Sequence, residues 1–268
     1  MTAAAHITDD DILLLDRRGA RTADFLGVAF TLADSEALIR RLTEEADARR
    51  PFRYVVTPNV DNVVKAHREA ETYGPLYRDA WLAACDSRIV QLLARWSGLD
   101  IPVTPGSELT ERLFADVIAP DEPVTVIGGD ADVIAALRAR YGLTELRWHD
   151  PPMGLRHKPE AISEAAAFIA AQGARFVFLA IGNPQQVMVA HAVQARGDAT
   201  GVGLCIGASL DFLAGKVARA PRWMQEARLE WLFRLASEPK RLWRRYLVEG
   251  PEVFLIWRRW LRSRAAGA

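Results

Sequence analysis

The sequence predicts an α/β protein, a mostly parallel sheet covered by helices, with a C-terminal helical appendage. Three observations predict it. Short apolar runs at 25–30, 54–57, 81–85, 124–127, 176–181 and 202–206 each precede a segment of helical periodicity. Runs that are apolar on both faces belong in a parallel sheet, because a sheet with one wet face would alternate apolar and polar residues. The rhythm stops near Leu213, and the chain beyond it is amphipathic, arginine-rich and interrupted at Pro221, Pro239 and Gly250-Pro251. The expected arrangement is Rossmann-like, with six or so strands in a core over 1–215 and a separable appendage over 216–268.

Taken in order, the chain opens on a short acidic segment in which Asp9, Asp10 and Asp11 precede the first run and read as solvated charge. That segment lacks the basic and apolar regions of a signal peptide, so a cytoplasmic protein is expected. In a sheet of this kind ligands bind beyond the carboxyl ends of the strands, so the residues just after each run are the candidates. After 54–57 come Thr57-Pro58-Asn59 and a helix over 61–69. Thr57 and Asn59 can cap that helix or hold a ligand. After 81–85 comes Asp86, which can cap the helix starting at Ser87 or act as a general base at the lip of a cleft; position alone favours the cap.

After 124–127, Gly128-Gly129-Asp130 forms a glycine turn leading into a helix over 131–141. Such a turn lets backbone N–H groups approach a phosphate or a sugar hydroxyl, although tight turns also need glycines for purely structural reasons. The helix over 159–171 looks like an ordinary cover for the sheet. The runs at 176–181 and 202–206 lead into Gly182-Asn183-Pro184-Gln185-Gln186 and Gly207-Ala208-Ser209. No G-x-G-x-x-G, Walker phosphate loop or G-x-S-x-G elbow occurs, which leaves dinucleotide binding and serine hydrolysis without support.

Charge divides the chain. Residues 216–264 hold 13 Lys or Arg against 5 Asp or Glu, a surplus of +8, while residues 1–215 hold 21 against 29, a deficit of −8. The basic stretch also carries Trp223, Trp231, Trp243, Trp257 and Trp260. Interleaved indoles and cations suit an anionic membrane surface, and the same pattern also describes a solvated helical face. No apolar run is long enough to span a bilayer, so membrane contact would be peripheral. The acidic core and overall neutrality argue against nucleic acid as a partner. Five histidines without ligand spacing predict no metal, and Cys85 and Cys205, each in an apolar run, read as buried free thiols.

Several segments together resemble the WecG/TagA/CpsF family of bacterial glycosyltransferases, also called glycosyltransferase family 26. They are Val56-Thr57-Pro58-Asn59-Val60-Asp61, Ile127-Gly128-Gly129, Gly182-Asn183-Pro184-Gln185-Gln186, the GASLDFLAG segment at 207–215, Arg219-Ala220-Pro221 and LEWLFRLASEPKRLWRRY at 229–246. The resemblance implies inverting transfer of a sugar from a UDP-sugar to a polyprenyl-diphosphate-linked saccharide, without a metal or other cofactor, in cell-surface or exopolysaccharide biosynthesis. The donor would be of UDP-glucose or UDP-N-acetylmannosamine(-uronic acid) type. The enzyme would sit peripherally on the inner leaflet of the cytoplasmic membrane.

Residue by residue, the family's Ala-Asp-Gly motif reads Cys85-Asp86-Ser87, which reverses the cap-first reading and makes Asp86 the base. Thr57 and Asn59 match pocket residues, and Gln186 matches the glutamine of Pro-Lys-Gln-Glu, with Gln185 and Val187 replacing its neighbours. Gly128, Gly129 and Asp211 fall in matched segments and join the substrate-binding set. Arg234, Arg241 and Arg244 match arginines that meet a diphosphate. A further family arginine has no counterpart in 101–106; Arg88 or Arg95 can substitute in space. These departures keep open a second reading, a catalytically inactive nucleotide-sugar-binding or scaffold module of the same pathway, and homo-oligomerisation is equally open.

Overall fold

The computed structural model describes residues 14–15, 20–217, 220–221, 224 and 230–267. Asp9, Asp10, Asp11, Arg219 and Trp223 lie outside the described residues. Six strands form one all-parallel sheet: β4 (Arg53–Val56), β5 (Leu82–Ala83), β6 (Val124–Ile127), β7 (Leu146–His149), β8 (Phe176–Leu179) and β9 (Val202–Cys205), in the order β5-β4-β9-β8-β6-β7. This is the Rossmann-like α/β architecture that the apolar runs predict. Before it come three antiparallel strands, β1 (Leu14–Leu15), β2 (Arg21–Phe25) and β3 (Val28–Thr31).

Two elements depart from the expected pattern. The run at 25–30 is not a strand of the parallel sheet but the bend of a hairpin, in which Leu26 and Gly27 both take positive φ (53° and 74°) between β2 and β3. Apolarity there comes from burial of Phe25, Leu26 and Phe30 beneath helices, which a linear reading does not separate from strand burial. Conversely, β7 gives no apolar run because its Arg147 and Trp148 are exposed.

Period-2 alternation splits the strand side chains between two cores. Tyr54, Val56, Ile127, Val177, Leu179 and Cys205 pack on one face, and Val55, Val124, Val126, Phe176, Phe178 and Leu204 on the other. The first face is covered by α2 (Val60–Arg68), α3 (Ala70–Arg78), α4 (Arg88–Trp96), α7 (Pro159–Gln172) and α8 (Gln185–Arg196), the second by α1 (Ser35–Glu45), α5 (Gly106–Arg112), α6 (Ala131–Tyr141) and α9 (Ser209–Leu213).

The C-terminal region forms α10 (Glu230–Ser237), α11 (Pro239–Trp243), a π-helical turn over Arg244–Glu249 and α12 (Glu252–Gly267). Packing does not follow a boundary at 215. Val253 and Ile256 of α12 are buried in the first core, and Trp257 and Trp260 pack against it. Trp260 meets Phe25 edge-on at 5.0 Å, and the Trp257 indole N–H donates to Ser97 Oγ at 2.8 Å. Arg68 of α2 pairs with Glu252 at 2.7 Å. These two tryptophans therefore serve the core rather than a membrane face. Trp243, Leu247, Val248, Phe254 and Leu255 remain exposed.

Candidate active site

Because all six strands run the same way, the segments after them gather at one edge. β4 delivers Thr57-Pro58-Asn59. The Thr57 hydroxyl donates to the Cys205 carbonyl at 2.9 Å, stitching the end of β4 to β9 and leaving the oxygen's lone pairs to accept. Asn59 is the N-cap of α2: its Oδ1 accepts from the Asp61 and Asn62 N–H groups, and the Asn62 side chain returns a bond from the Asn59 N–H. Of the two roles open to Asn59, capping is observed, and it presents the same amide to the edge.

Beyond β5 the chain runs through Cys85 to Asp86, whose N–H donates to the Pro58 carbonyl at 3.0 Å. That bond brings the Asp86 segment against Thr57-Pro58-Asn59. The cap of α4 is not Asp86: the Ser87 hydroxyl accepts from the Val90 N–H at 3.2 Å. Asp86 is half-buried, one residue before the N-cap. Burial pushes the neighbouring Cys85 thiol up to about 12, so it stays protonated and is no nucleophile. The segment after Cys85 is walled by 101–104, where the Thr104 N–H donates to the Cys85 carbonyl at 2.8 Å. Gly106 follows, so close that a Cβ there would lie 3.0 Å from Thr57 Oγ1.

From the neighbouring strands come Gln186 and Gly207. The Gly207 N–H donates to Gln186 Oε1 at 2.9 Å, and Gln186 is buried, so its amide orientation is set by a backbone donor. Asp86, Thr57 with Asn59, Gly207 and Gln186 thus follow the contiguous strands β5, β4, β9 and β8 respectively. Gly128 and Gly129, with φ of 85° and 77°, follow β6. Asp86 and Gly128 leave strands four places apart, roughly 19 Å at about 4.8 Å per step. A compact ligand does not bridge them; an extended one lying along the edge is needed. Asp130, next in the turn, caps α6 and pairs with Lys216, and this exposed contact holds its carboxyl below the ordinary range. Asp211 lies half-buried in the first turn of α9.

The arginines separate. Arg234 stacks over Phe212 of α9 at 5.6 Å, with its Nε buried and without a hydrogen-bond partner. Glu238 interrupts the helix between Arg234 and Arg244, so these two do not share one continuous helical face. Arg244 faces solvent and pairs with Glu249 at 3.2 Å. Arg241 lies in α11, and its side chain is outside the described residues. Among the described residues, the C-terminal arginine that reaches the edge is Arg245, which sequence reasoning passed over: its Nη2 lies 3.4 Å from Asn59 Oδ1, and its Nε 3.6 Å from the buried Asp61 carboxylate. A signal existed in the adjacent arginines, but only packing says which one turns inward. Arg88 is exposed at the start of α4, beside Asp86-Ser87, whereas Arg95 is at the far end of the helix. Among the described residues no group of three His, Cys, Asp or Glu is placed to share a metal ion.

An all-parallel sheet whose post-strand loops gather at its carboxyl edge is an α/β architecture of the class in which ligands bind at that edge. The model of the glycosyl transferase WecG/TagA/CpsF family matches residues 23–266. The chain belongs to that family, and so is a glycosyltransferase of cell-surface polymer synthesis.

Proposed function

We propose that the protein is an inverting glycosyltransferase that moves a sugar from a UDP-sugar to a polyprenyl-diphosphate-linked saccharide, with Asp86 as the general base and no catalytic metal. The observation that carries the reading is the contact of the Asp86 segment with Thr57-Pro58-Asn59, on strands beside those that bear Gln186 and Gly207. The Asp86 carboxylate takes the proton of the acceptor hydroxyl as that oxygen bonds to the anomeric carbon. The bond to UDP breaks on the opposite face, and the electron pair goes to a diphosphate oxygen. Arginine suits the charge that develops there, because its planar fork binds phosphate oxygens bidentately. Arg234, Arg241 and Arg244 are the family-matched candidates, and Arg245 joins them through its place at Asn59. Thr57, Asn59, Gln186 and Asp211 hold the donor, which is of UDP-glucose or UDP-N-acetylmannosamine(-uronic acid) type, with the Gly128-Gly129 turn at its nucleotide end.

The second half of the proposal is peripheral docking on the inner leaflet of the cytoplasmic membrane. It is supported by the outer face of the C-terminal region, where exposed Trp243, Leu247, Val248, Phe254 and Leu255 are interleaved with exposed Arg244, Arg258, Arg259 and Arg262. No described helix is long and apolar enough to cross a membrane.

Asp86→Asn tests the reaction. Removing a positioned base typically costs on the order of 10²–10⁴ in rate, so transfer from UDP-sugar to a short-chain polyprenyl-diphosphate acceptor should fall by that much while UDP binding persists. Wild-type turnover by this variant would remove Asp86 from the mechanism.

A further inference from the structure

We propose that Tyr77 is a positioning residue that fixes the side-chain amide of Asn183 with its oxygen held by protein, making Asn183 a donor-only contact to an oxygen of the nucleotide sugar; this rests on the transferase reading above. The polarity of the network starts from a group that can only donate. The Asn59 backbone N–H gives its proton to Asn62 Oδ1 at 2.9 Å. With that oxygen spoken for, Asn62 turns its Nδ2 to the Tyr77 hydroxyl, to which it donates at 3.2 Å. Having accepted there, the hydroxyl donates its single proton to Asn183 Oδ1 at 2.9 Å.

What remains of the Asn183 amide is its NH₂. Nδ2 is buried and has no hydrogen-bond partner, a state folded proteins avoid unless water or a ligand completes it. The opposite amide orientation would set two NH₂ groups against one hydroxyl and strand the tyrosine proton. Tyr77 itself is buried, and loss of solvent there raises its phenol above the ordinary value, so the proton stays in place.

The position fits a ligand contact. Asn183 follows β8 at the same carboxyl edge as Thr57 and Asp86, three residues before Gln186, whose Oε1 is likewise committed to the protein through Gly207. The two amides after β8 share one arrangement, the oxygen held and the nitrogen left to donate. Tyr77, from α3, links the first turn of α2, which follows β4, to the loop after β8 across the intervening β9. No oxygen-to-donor register is fixed at Asn183 without it.

Titration calorimetry on the full chain with UDP, UDP-glucose and UDP-N-acetylmannosamine, together with steady-state kinetics, tests this. Tyr77→Phe keeps the ring and removes only the hydroxyl. Asn183→Asp keeps the acceptor for Tyr77 and removes the donor. Each, like Asn183→Ala, should weaken donor binding by about five- to tenfold, the worth of one neutral hydrogen bond. The loss should appear in the donor KM, with kcat and the acceptor KM nearly unchanged. A loss already seen with UDP puts the oxygen on the nucleotide; a loss confined to a UDP-sugar puts it on the sugar.

The decisive comparison is the double variant Tyr77→Phe/Asn183→Ala. If Tyr77 acts through Asn183, the double binds no more weakly than Asn183→Ala alone. Unchanged binding by Asn183→Ala and Asn183→Asp, or a tyrosine effect that adds in full on the Asn183→Ala background, overturns the proposal. A wild-type protein that binds none of the three ligands overturns the transferase reading and this proposal together, and so is distinguishable from failure of the proposal alone.

Discussion

A methyl group placed on Gly128 would lie 2.5 Å from Ile181 Cγ2 and 3.1 Å from the Ala180 carbonyl oxygen, and φ there is 85°. The left-handed backbone alone costs an ordinary L-residue roughly 1–2 kcal/mol. Gly128→Ala should therefore lower Tm by at least about 2 °C in a calorimetric scan, and weaken UDP binding by shifting the loop that carries Asn183. An unchanged melting curve would contradict the close approach. Gly106→Ala makes the converse test, since its backbone is unstrained while its Cβ would press on the Thr57 hydroxyl at 3.0 Å. There transfer should fall with little change in Tm. The two cysteines offer a simpler check: Cys85 and Cys205 are both buried, and burial raises both thiols. Neither should react with a thiol reagent at pH 8 until the protein is denatured. Of these residue-scale features, the glycine-bearing turns and the apolar setting of the thiols are visible in the sequence. The division of labour between Asp86 and Ser87 is not, because both residue types cap helices well and only the bond to Val90 N–H separates them.

At the scale of elements, α12 carries the sharpest expectation. A chain read linearly marks 216–268 as a basic appendage, yet Val253 and Ile256 are buried among Phe25, Val63 and Leu93. Ile256→Ala should cost about 2–5 kcal/mol, the usual range for emptying a buried aliphatic site. Truncation before Glu252 should abolish cooperative unfolding by exposing the whole seam. A truncated chain that melts like the full one would return α12 to the status of an appendage. The sequence conceals this packing because the helix has two working faces, one apolar toward the core and one mixed toward solvent, and periodicity does not say what covers either. The same limit explains the arginines. Spacing is informative only while one helix continues: the Glu238-Pro239 break separates Arg234 from the other two, and Arg244 and Arg245, as neighbours in one helical turn, point different ways. Strands fared according to their cover: β5 and β7 are both edge strands, but β5 is buried, with its Ala83 N–H bonded to Thr31 of β3, and reads as an apolar run, whereas β7 exposes Arg147 and Trp148 and does not.

For the whole molecule, the opposition between a −8 core region and a +8 C-terminal stretch becomes a spatial statement. Its exposed cations and apolar side chains share the outer surface of the C-terminal region, while Arg234 and Arg245 turn toward the core. Each basic residue near an anionic surface adds about 1 kcal/mol. Replacing Arg258, Arg259 and Arg262 with Gln should therefore release the protein from phosphatidylglycerol vesicles in a sedimentation assay, with binding of the parent protein falling as salt rises. Equal sedimentation of variant and parent would remove this face from the docking proposal.

The sequence by itself determined the α/β class, the loops that end on the carboxyl edge of the sheet and the family, because strand burial and turn chemistry leave a local imprint on residue type. Tertiary structure alone decided that Tyr77 joins α2 to the loop after β8, that Arg245 rather than Arg244 turns inward, and that α12 packs into the core. Each of those depends on which surfaces meet across a long stretch of chain, and hydrogen-bond polarity and packing between distant segments leave no periodic mark in either one.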